Sequence, residues 1–336
     1  ITIPHITMSQ KLSLTLRDRT HQHLDLLMRA DSVYLPPNSP LIVGLSGGPD
    51  SVFLLHVLHS HPALKNTPLI IAHLNHQWDA CCERSFIFCR SLAASLNLTF
   101  ESATAQNSAQ TQEGGRRARY HFFAQLKKKY TAQRIAVGHH ANDQQENFFI
   151  RLMRGTTLSG LVGMKARNKD IIRPLLPFTK QEILAYLSEH SIAYIQDSAN
   201  YSTDFLRNRV RMHALPALKT CDDRFEHNFS RSLQQLQEVE DFLDAMTTNL
   251  YQQHTQQLSL SVTALNIIPL YQQFPQIIHN RVILLWLYQA KVPFTPSTAF
   301  LQEIRRFAEQ GTKKTHHLHT SWALCKQNNL LYIQKL

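Results

Sequence analysis

Residues 46–51 read Ser46-Gly47-Gly48-Pro49-Asp50-Ser51, between an apolar segment, LIVGL at 41–45, and a helix-like stretch, VFLLHVLHSH at 52–61. Gly47 and Gly48 lack the Cβ that would bar positive φ or hold the backbone away from an anion. Their N–H groups, the free donors of the helix start and the hydroxyls of Ser46 and Ser51 together form a phosphate cradle. A carboxylate in such a cradle is repulsive unless a divalent cation lies between it and the phosphates, so Asp50 predicts Mg²⁺. No Lys follows the glycines, which excludes the Walker-A arrangement.

Two further groups carry chemistry. Residues 138–164 read GHHANDQQENFFIRLMRGTTLSGLVGM. If a helix opens there, either His139, Asp143 and Glu146 or His140, Asp143 and Asn147 fall near one face. Residues 116–129 hold Arg116, Arg117, Arg119, Lys127, Lys128 and Lys129 with no acid, and 151–220 hold eleven basic residues against five acidic ones. With 35 Lys and Arg against 24 Asp and Glu, the net charge of +11 suggests an anionic partner larger than a nucleotide.

The elements that must position these groups alternate. LIVGL, PLIIAHLN at 68–75 and RIAVGHH at 134–140 read as strands, with helices through His59 and over 83–96. This predicts an α/β fold, a parallel sheet covered by helices on both faces. Ligands bind beyond the carboxyl ends of such strands, where residues 46–51, His73-Leu74-Asn75-His76 and Gly138-His139-His140 converge. From Phe225 the apolar residues recur at helical spacing, and Asn328-Asn329 near the end is a hairpin signal. The expected domains are 1–217, binding nucleotide, and 218–336, smaller, mainly helical and ending in a β-hairpin, with the boundary near Leu215-Pro216 to Asp222.

The 336 residues, 43% hydrophobic, suffice for two cores. No apolar run reaches the roughly 18 residues of a membrane span, and no secretory signal opens the chain, so a cytoplasmic protein without a membrane partner is expected. Cys81, Cys82, Cys89, Cys221 and Cys325 form no C-x-x-C pair and read as reduced thiols.

SGGPDS resembles the loop of the pyrophosphate-loop ATPases, which cleave ATP between the α- and β-phosphates. Beyond it, HLNH at 73–76, GRRARY at 115–120, HHANDQQEN, RLMRG…GLVGM, IIRPLL at 171–176, DSAN at 197–200 and FLRNRVR at 205–211 follow the order and spacing of the bacterial tRNA(Ile)-lysidine synthase family. The match covers about 41–220. The region after it is similar to that family's middle domain, which implies a Rossmann-like ATP pyrophosphatase fold and a short form ending before the last domain of longer members.

The resemblance implies that ATP adenylates the 2-oxo group of the wobble cytidine in a CAU-anticodon isoleucine tRNA. The ε-amine of free L-lysine then displaces AMP. It implies that Ser46, Gly47, Gly48, Pro49, Asp50 and Ser51 grip ATP, that Asp50 meets Mg²⁺, and that His73, with Asn75 and His76, lines the adenine pocket. Asp143 and Glu146 would hold lysine, and His139 or His140 would accept a proton or touch the nucleotide. Arg116 and Arg119 would offset phosphate charge or contact tRNA, and Arg207 and Arg211 would contact the RNA backbone. Asp79, Asn142 and Asn147 depart from the family's usual Arg, Asp and Thr. Three other readings are a tRNA-thiolating enzyme on the same loop, a non-catalytic tRNA-binding relative and a metabolite ligase. The sequence leaves oligomeric state open, a homodimer being one option.

Overall fold

The structure, a computed structural model, describes residues 15–336 apart from 32–33, 37, 76–80, 106–111, 197–204, 260–261, 294–295, 310–313, 320 and 328. His76, Asp79, Asp197 and Asp204, together with Asn328 of the hairpin turn, lie outside the described residues. Two compact units divide the chain, 1–233 and 234–336.

In the first unit, α1 (Leu16–Ala30) precedes β1 (Leu41–Gly44), α2 (Pro49–Ser60), β2 (Leu69–Asn75), α3 (Cys81–Ser95), β3 (Thr99–Thr104), α4 (Gln112–Lys129) and β4 (Arg134–Ala136). Then come α5 (Ala141–Met153), α6 (Leu158–Leu161), β5 (Arg167–Asn168), β6 (Ile171–Ile172) and α7 (Lys180–Glu189). The sheet order is β3-β2-β1-β4-β6-β5, parallel except for the edge strand β5. As the residue types predict, the parallel sheet is buried on both faces. Leu41 and Val43 face one core with Leu54, Leu55 and Leu187, while Ile42 faces another with Phe122 and Phe123.

The two strands flanking β1 pair with it in register, Val43 opposite Ile71 on β2 and Ala136 on β4. β1 and β4 therefore end within a residue of each other, while β2 runs three residues further, to Asn75. At the end of β4, a Cβ on Gly138 would stand 2.9 Å from the Asp50 carbonyl oxygen. Only glycine lets this strand end abut the first turn of α2.

Beyond α7 the first unit runs through α8 (Leu206–Arg209), a π-helical turn (Val210–Ala214) and α9 (Leu215–Cys221) into α10 (Phe225–His254), within which the division falls. The second unit continues with β7 (Thr255–Ser259), β8 (Val262–Asn266), α11 (Ile268–Gln273), α12 (Gln276–Gln289), α13 (Thr298–Glu309), β9 (Thr315–His319), β10 (Trp322–Gln327) and β11 (Leu330–Lys335). The expected hairpin is β10–β11, but it belongs to a five-stranded antiparallel sheet, β7-β8-β11-β10-β9. Trp286 anchors this unit's core, and its Nε1–H donates to the Thr263 carbonyl at 2.9 Å. No helix among the described residues is long and apolar enough to cross a membrane.

Glu240 on α10 is buried, and Arg281 on α12 meets its Oε1 at 2.7 Å and Asp244 at 2.6 Å. Removing one partner of a buried pair leaves an uncompensated charge, which costs about 3–5 kcal/mol. Arg281→Ala should therefore destabilise the second unit by about that amount in urea unfolding followed by the fluorescence of buried Trp286. An unchanged midpoint would show that the pair holds nothing.

Candidate functional site

The loop after β1 is held by its own hydroxyls. Ser51 Oγ donates to the Gly48 carbonyl at 2.9 Å and accepts from the Ser46 N–H at 3.1 Å, and Ser46 Oγ accepts from the Gly48 N–H at 3.3 Å. Gly47 has φ +86°, the left-handed region that favours glycine, and its carbonyl accepts from Ile195 N–H at 2.8 Å. Gly48 does not share that conformation: its φ is −72°. A Cβ there would meet only Ser46 Oγ, at 3.5 Å, so the protein's own packing does not demand glycine and the space stays clear for an anion. Pro49 takes the first position of α2, where its missing N–H is no loss, and Asp50 lies in the first turn.

A cavity of about 360 Å³ opens over this loop, lined by Ser46, Asp50 and Ser51, by His73 and Asn75 at the end of β2, and by Gly138, His139 and Asp143 after β4. Arg116, Arg119 and Arg207 line it too. The structure thus brings the three expected strand ends together with the paired arginines of α4. His73 is buried, and burial lowers its pKa, so its ring is neutral. Nδ1–H donates to the Leu45 carbonyl at 2.9 Å, leaving Nε2 as a buried acceptor without a protein partner. An acceptor fixed at the cavity wall suits the exocyclic amine of adenine.

α5 supplies the opposite charge. Asp143 Oδ2 accepts from the His140 backbone N–H at 3.0 Å, closing the helix start. Burial alone would raise the Asp143 pKa, but the neighbouring His140 and His139 rings, that hydrogen bond and the Arg207 guanidinium hold it below its ordinary value. His139 is pushed down to about 3, first by burial and then by Arg173, Arg119 and Arg116, against the pull of Asp143. It is neutral at pH 7, and its Nδ1 has no protein partner. Burial likewise lowers Arg119, helped by Arg116 and Arg207, yet a guanidinium stays charged.

Glu146, fully buried, is clamped by two arginines. Arg211 Nε donates to Oε1 at 2.6 Å and its second nitrogen to Oε2 at 3.2 Å, while Arg207 Nε stands 3.1 Å from Oε2 without hydrogen-bond alignment. Arg207 also donates to the Asn147 side chain. Burial nevertheless keeps the Glu146 carboxyl above its ordinary value despite Arg211. Arg207 and Arg211 are therefore paired with a buried carboxylate; of these three side chains Arg207 lines the cavity, and Glu146 and Arg211 do not.

Two residues escaped the sequence reading. Lys180 Nζ donates to Asp50 Oδ1 at 2.7 Å across 130 positions of chain, with His140 Nε2 3.7 Å from Asp50 Oδ2. Lys180 opens α7, whose capping box joins Thr179 and Glu182, and its backbone N–H donates to Asn142 Oδ1 at 2.8 Å. The Thr-x-x-Glu spacing was the available signal for that helix start. Arg173, buried in the IIRPLL segment, donates to the Lys165 carbonyl and bears on His139 through its charge.

Asp50 already holds a cation, and a single carboxylate beside a phosphate cradle suits Mg²⁺, which takes one or two carboxylates and completes its shell with phosphate and water. Among the described residues no cluster of three His, Cys, Asp or Glu could hold a metal by itself. Cys89 is buried, and burial pushes its thiol up to about 12, far from a reactive thiolate.

Residues 18–218 match the PP-loop domain family. The tRNA(Ile)-lysidine synthase of Bacillus thuringiensis is 30% identical over 87% of this chain and 64% of its own length. That of Chlorobaculum tepidum is 35% identical over 64% of this chain and 67% of its own. The chain thus spans about two thirds of the length of these relatives. Among solved structures, the U34-tRNA thiolase NcsA from Methanococcus maripaludis aligns with TM-score 0.55 at 16% identity, covering 66% of this chain and 78% of that one, a likeness of fold.

Two outcomes are expected of this site. Lys180→Met should weaken metal-free ATP binding about tenfold, since a charge-assisted contact is lost and Asp50 is left to repel the phosphates; equal affinity by calorimetry in EDTA would remove Lys180 from the site. His139 binds no proton in the folded chain until about pH 3, whereas the unfolded chain binds one below about 6.5. Its share of stability therefore falls as pH drops from about 6.5. His139→Gln should flatten the pH 7 to 5 stability profile by about 1–2 kcal/mol, and parallel profiles would show that the ring titrates normally.

Proposed function

This chain belongs to the tRNA(Ile)-lysidine synthase family of PP-loop proteins, and on that premise we propose that it joins free L-lysine to C2 of the wobble cytidine in the CAU anticodon of the minor isoleucine tRNA, consuming ATP. The observation that carries the reading is the cavity itself, where a phosphate cradle, three arginines and the carboxylate of Asp143 face one space over the strand ends.

The chemistry follows from charge. A ring carbonyl oxygen is a poor leaving group; once it attacks the α-phosphate and expels pyrophosphate, it can leave as AMP. Residues 46–51 would grip the phosphates, and Mg²⁺ on Asp50 would neutralise them when bound. Lys180, which holds Asp50 in the free chain, would be available to the same anions once that carboxylate is neutralised. Arg116 and Arg119 would meet the charge that develops on the α-phosphate. His73 Nε2 would accept from the adenine amine.

The lysine ε-amine is mostly protonated at neutral pH and must lose a proton before it attacks. Asp143 has an oxygen left after capping α5, and with Glu146 it would hold the ammonium group. His139, neutral and lacking a partner at Nδ1, is an acceptor whose basicity would rise once phosphate charge offsets Arg116, Arg119 and Arg173. Arg207 and Arg211 can reach RNA phosphate only by leaving Glu146, which would free that carboxylate for lysine. The segment 218–336 is proposed to contribute to tRNA binding. A thiolating enzyme would need a sulfur carrier, and the buried Cys89 thiol does not fit that role.

Incubation with radiolabelled lysine, ATP, Mg²⁺ and either the minor isoleucine tRNA or the elongator methionine tRNA should place label on the isoleucine tRNA alone. AMP release without lysine transfer would sink the lysidine reading. Asp50→Ala should abolish pyrophosphate release while tRNA binding persists. Glu146→Gln should raise the KM for lysine at least tenfold with adenylation retained; an unchanged lysine dependence would remove Glu146 from the lysine pocket.

A further inference from the structure

The far end of α5 carries a surface the reaction does not use. All of residues 151–157 are exposed, Leu152 by 51% and Met153 by 59%. Gly155, with φ +67° and open space around it, ends the helix, and its N–H donates to the Leu152 carbonyl at 3.1 Å. By i, i+4 spacing, Leu152 and Met153 follow Phe148 and Phe149 along the helix. Those two rings lie edge to face, 5.5 Å apart, and Phe229 of α10 lies 5.2 Å from Phe148 and 6.2 Å from Phe149. The two exposed apolar side chains thus stand next to an aromatic base.

Two arginines, Arg151 and Arg154, flank them in this last turn. From 147 to 169 the sequence has five basic residues and no Asp or Glu, of which Arg167 is paired with Asp31 of α1's C-terminal end. Arg151 is turned back onto the Gly160 carbonyl at 2.6 Å, and Arg154 has no ion-pair partner among the described residues. We propose that residues 152–155 dock unpaired bases of the tRNA anticodon loop, Leu152 and Met153 against a base face and Arg154 on the adjoining phosphate. The inference rests on the tRNA reading above and adds where the loop lies.

Exposed apolar side chains beside Arg154 suit an anion that also has an apolar face. A duplex shows its flanks of sugar and phosphate, whereas a single-stranded loop exposes the bases themselves. A second copy of this chain would bring the same cations and be repelled. The N-terminus of α5 lies at the cavity that would take the wobble base, and its thirteen residues span about 20 Å. One helix therefore joins the reacting base to a surface fitted to its unpaired neighbours.

The test uses the full chain and a fluorescent anticodon stem-loop, read by anisotropy over a salt series, with a duplex of the same stem as control. Leu152→Ser/Met153→Ser should bind the stem-loop about tenfold more weakly and the duplex as before. Arg154→Gln should lower the salt slope by about one. Unchanged thermal midpoints and ATP affinity would show that the variants are folded. Wild-type affinity and slope in both variants would overturn the inference while leaving the lysidine reading intact. Failure of the wild-type chain to bind the stem-loop would overturn both. Sedimentation of the wild type, but not of the double variant, with phosphatidylglycerol vesicles would reassign the surface to a membrane.

Discussion

The contact between Lys180 and Asp50 fixes the charge balance on which the site depends. Asp50 is a carboxylate placed where the loop and the α2 N-terminus favour anions, so it needs a cation beside it at all times. In the free chain that cation is the Lys180 ammonium, 2.7 Å away. The contact also ties α7 to α2, and α7 is itself fastened through Glu182 to Arg19 of α1. Burial pushes the Glu182 carboxyl up, but the Thr179 backbone and Arg19 hold it below its ordinary value. An ammonium can yield its place to a divalent ion without leaving a buried unpaired charge, because Lys180 is partly solvated and on a flexible stem.

The carboxylates of α5 are balanced less loosely. Asp143 and Glu146, one turn apart on α5, are both buried, and the arginines around them come from α4, α8 and the π-helical turn. Each carboxylate is held differently. Asp143 caps its own helix and lies below its ordinary pKa, whereas Glu146 is clamped by long side chains and lies above. A buried carboxylate paired with long, partly exposed side chains can change partners more readily than one fixed to backbone. The geometry thus separates a rigid anion from an exchangeable one within a single turn of helix.

Much of the first unit was legible because its signals are local. Apolar, β-branched runs mark β1, β2 and β4, and the glycine-rich turn marks the cradle. What escaped was long-range. Nothing around Asp50 announces Lys180, and only the cap of α7 places that side chain at a helix start. Arg207 and Arg211 have the spacing of a helix face, yet their partner, Glu146, lies in another element. In the second unit, TQQLS and THHLH lack the alternation of half-buried strands, so β7 and β9 emerge only from pairing with β8 and β10. The departures at Asn142 and Asn147 acquire a physical sense: Asn142 accepts from Lys180 N–H and donates to Glu226, and Asn147 accepts from Arg207. An Asp at 142 could accept from Lys180 but could not donate to Glu226.

Gly138 connects these levels. Its missing side chain brings the end of β4 against Asp50, so His139 and His140 begin where the α2 N-terminus ends. A Cβ there would meet backbone atoms of Asp50 and Ser51, which cannot move without shifting the cradle itself. The place of His139 and that of the glycine loop are thus set relative to each other by one close approach between two backbones.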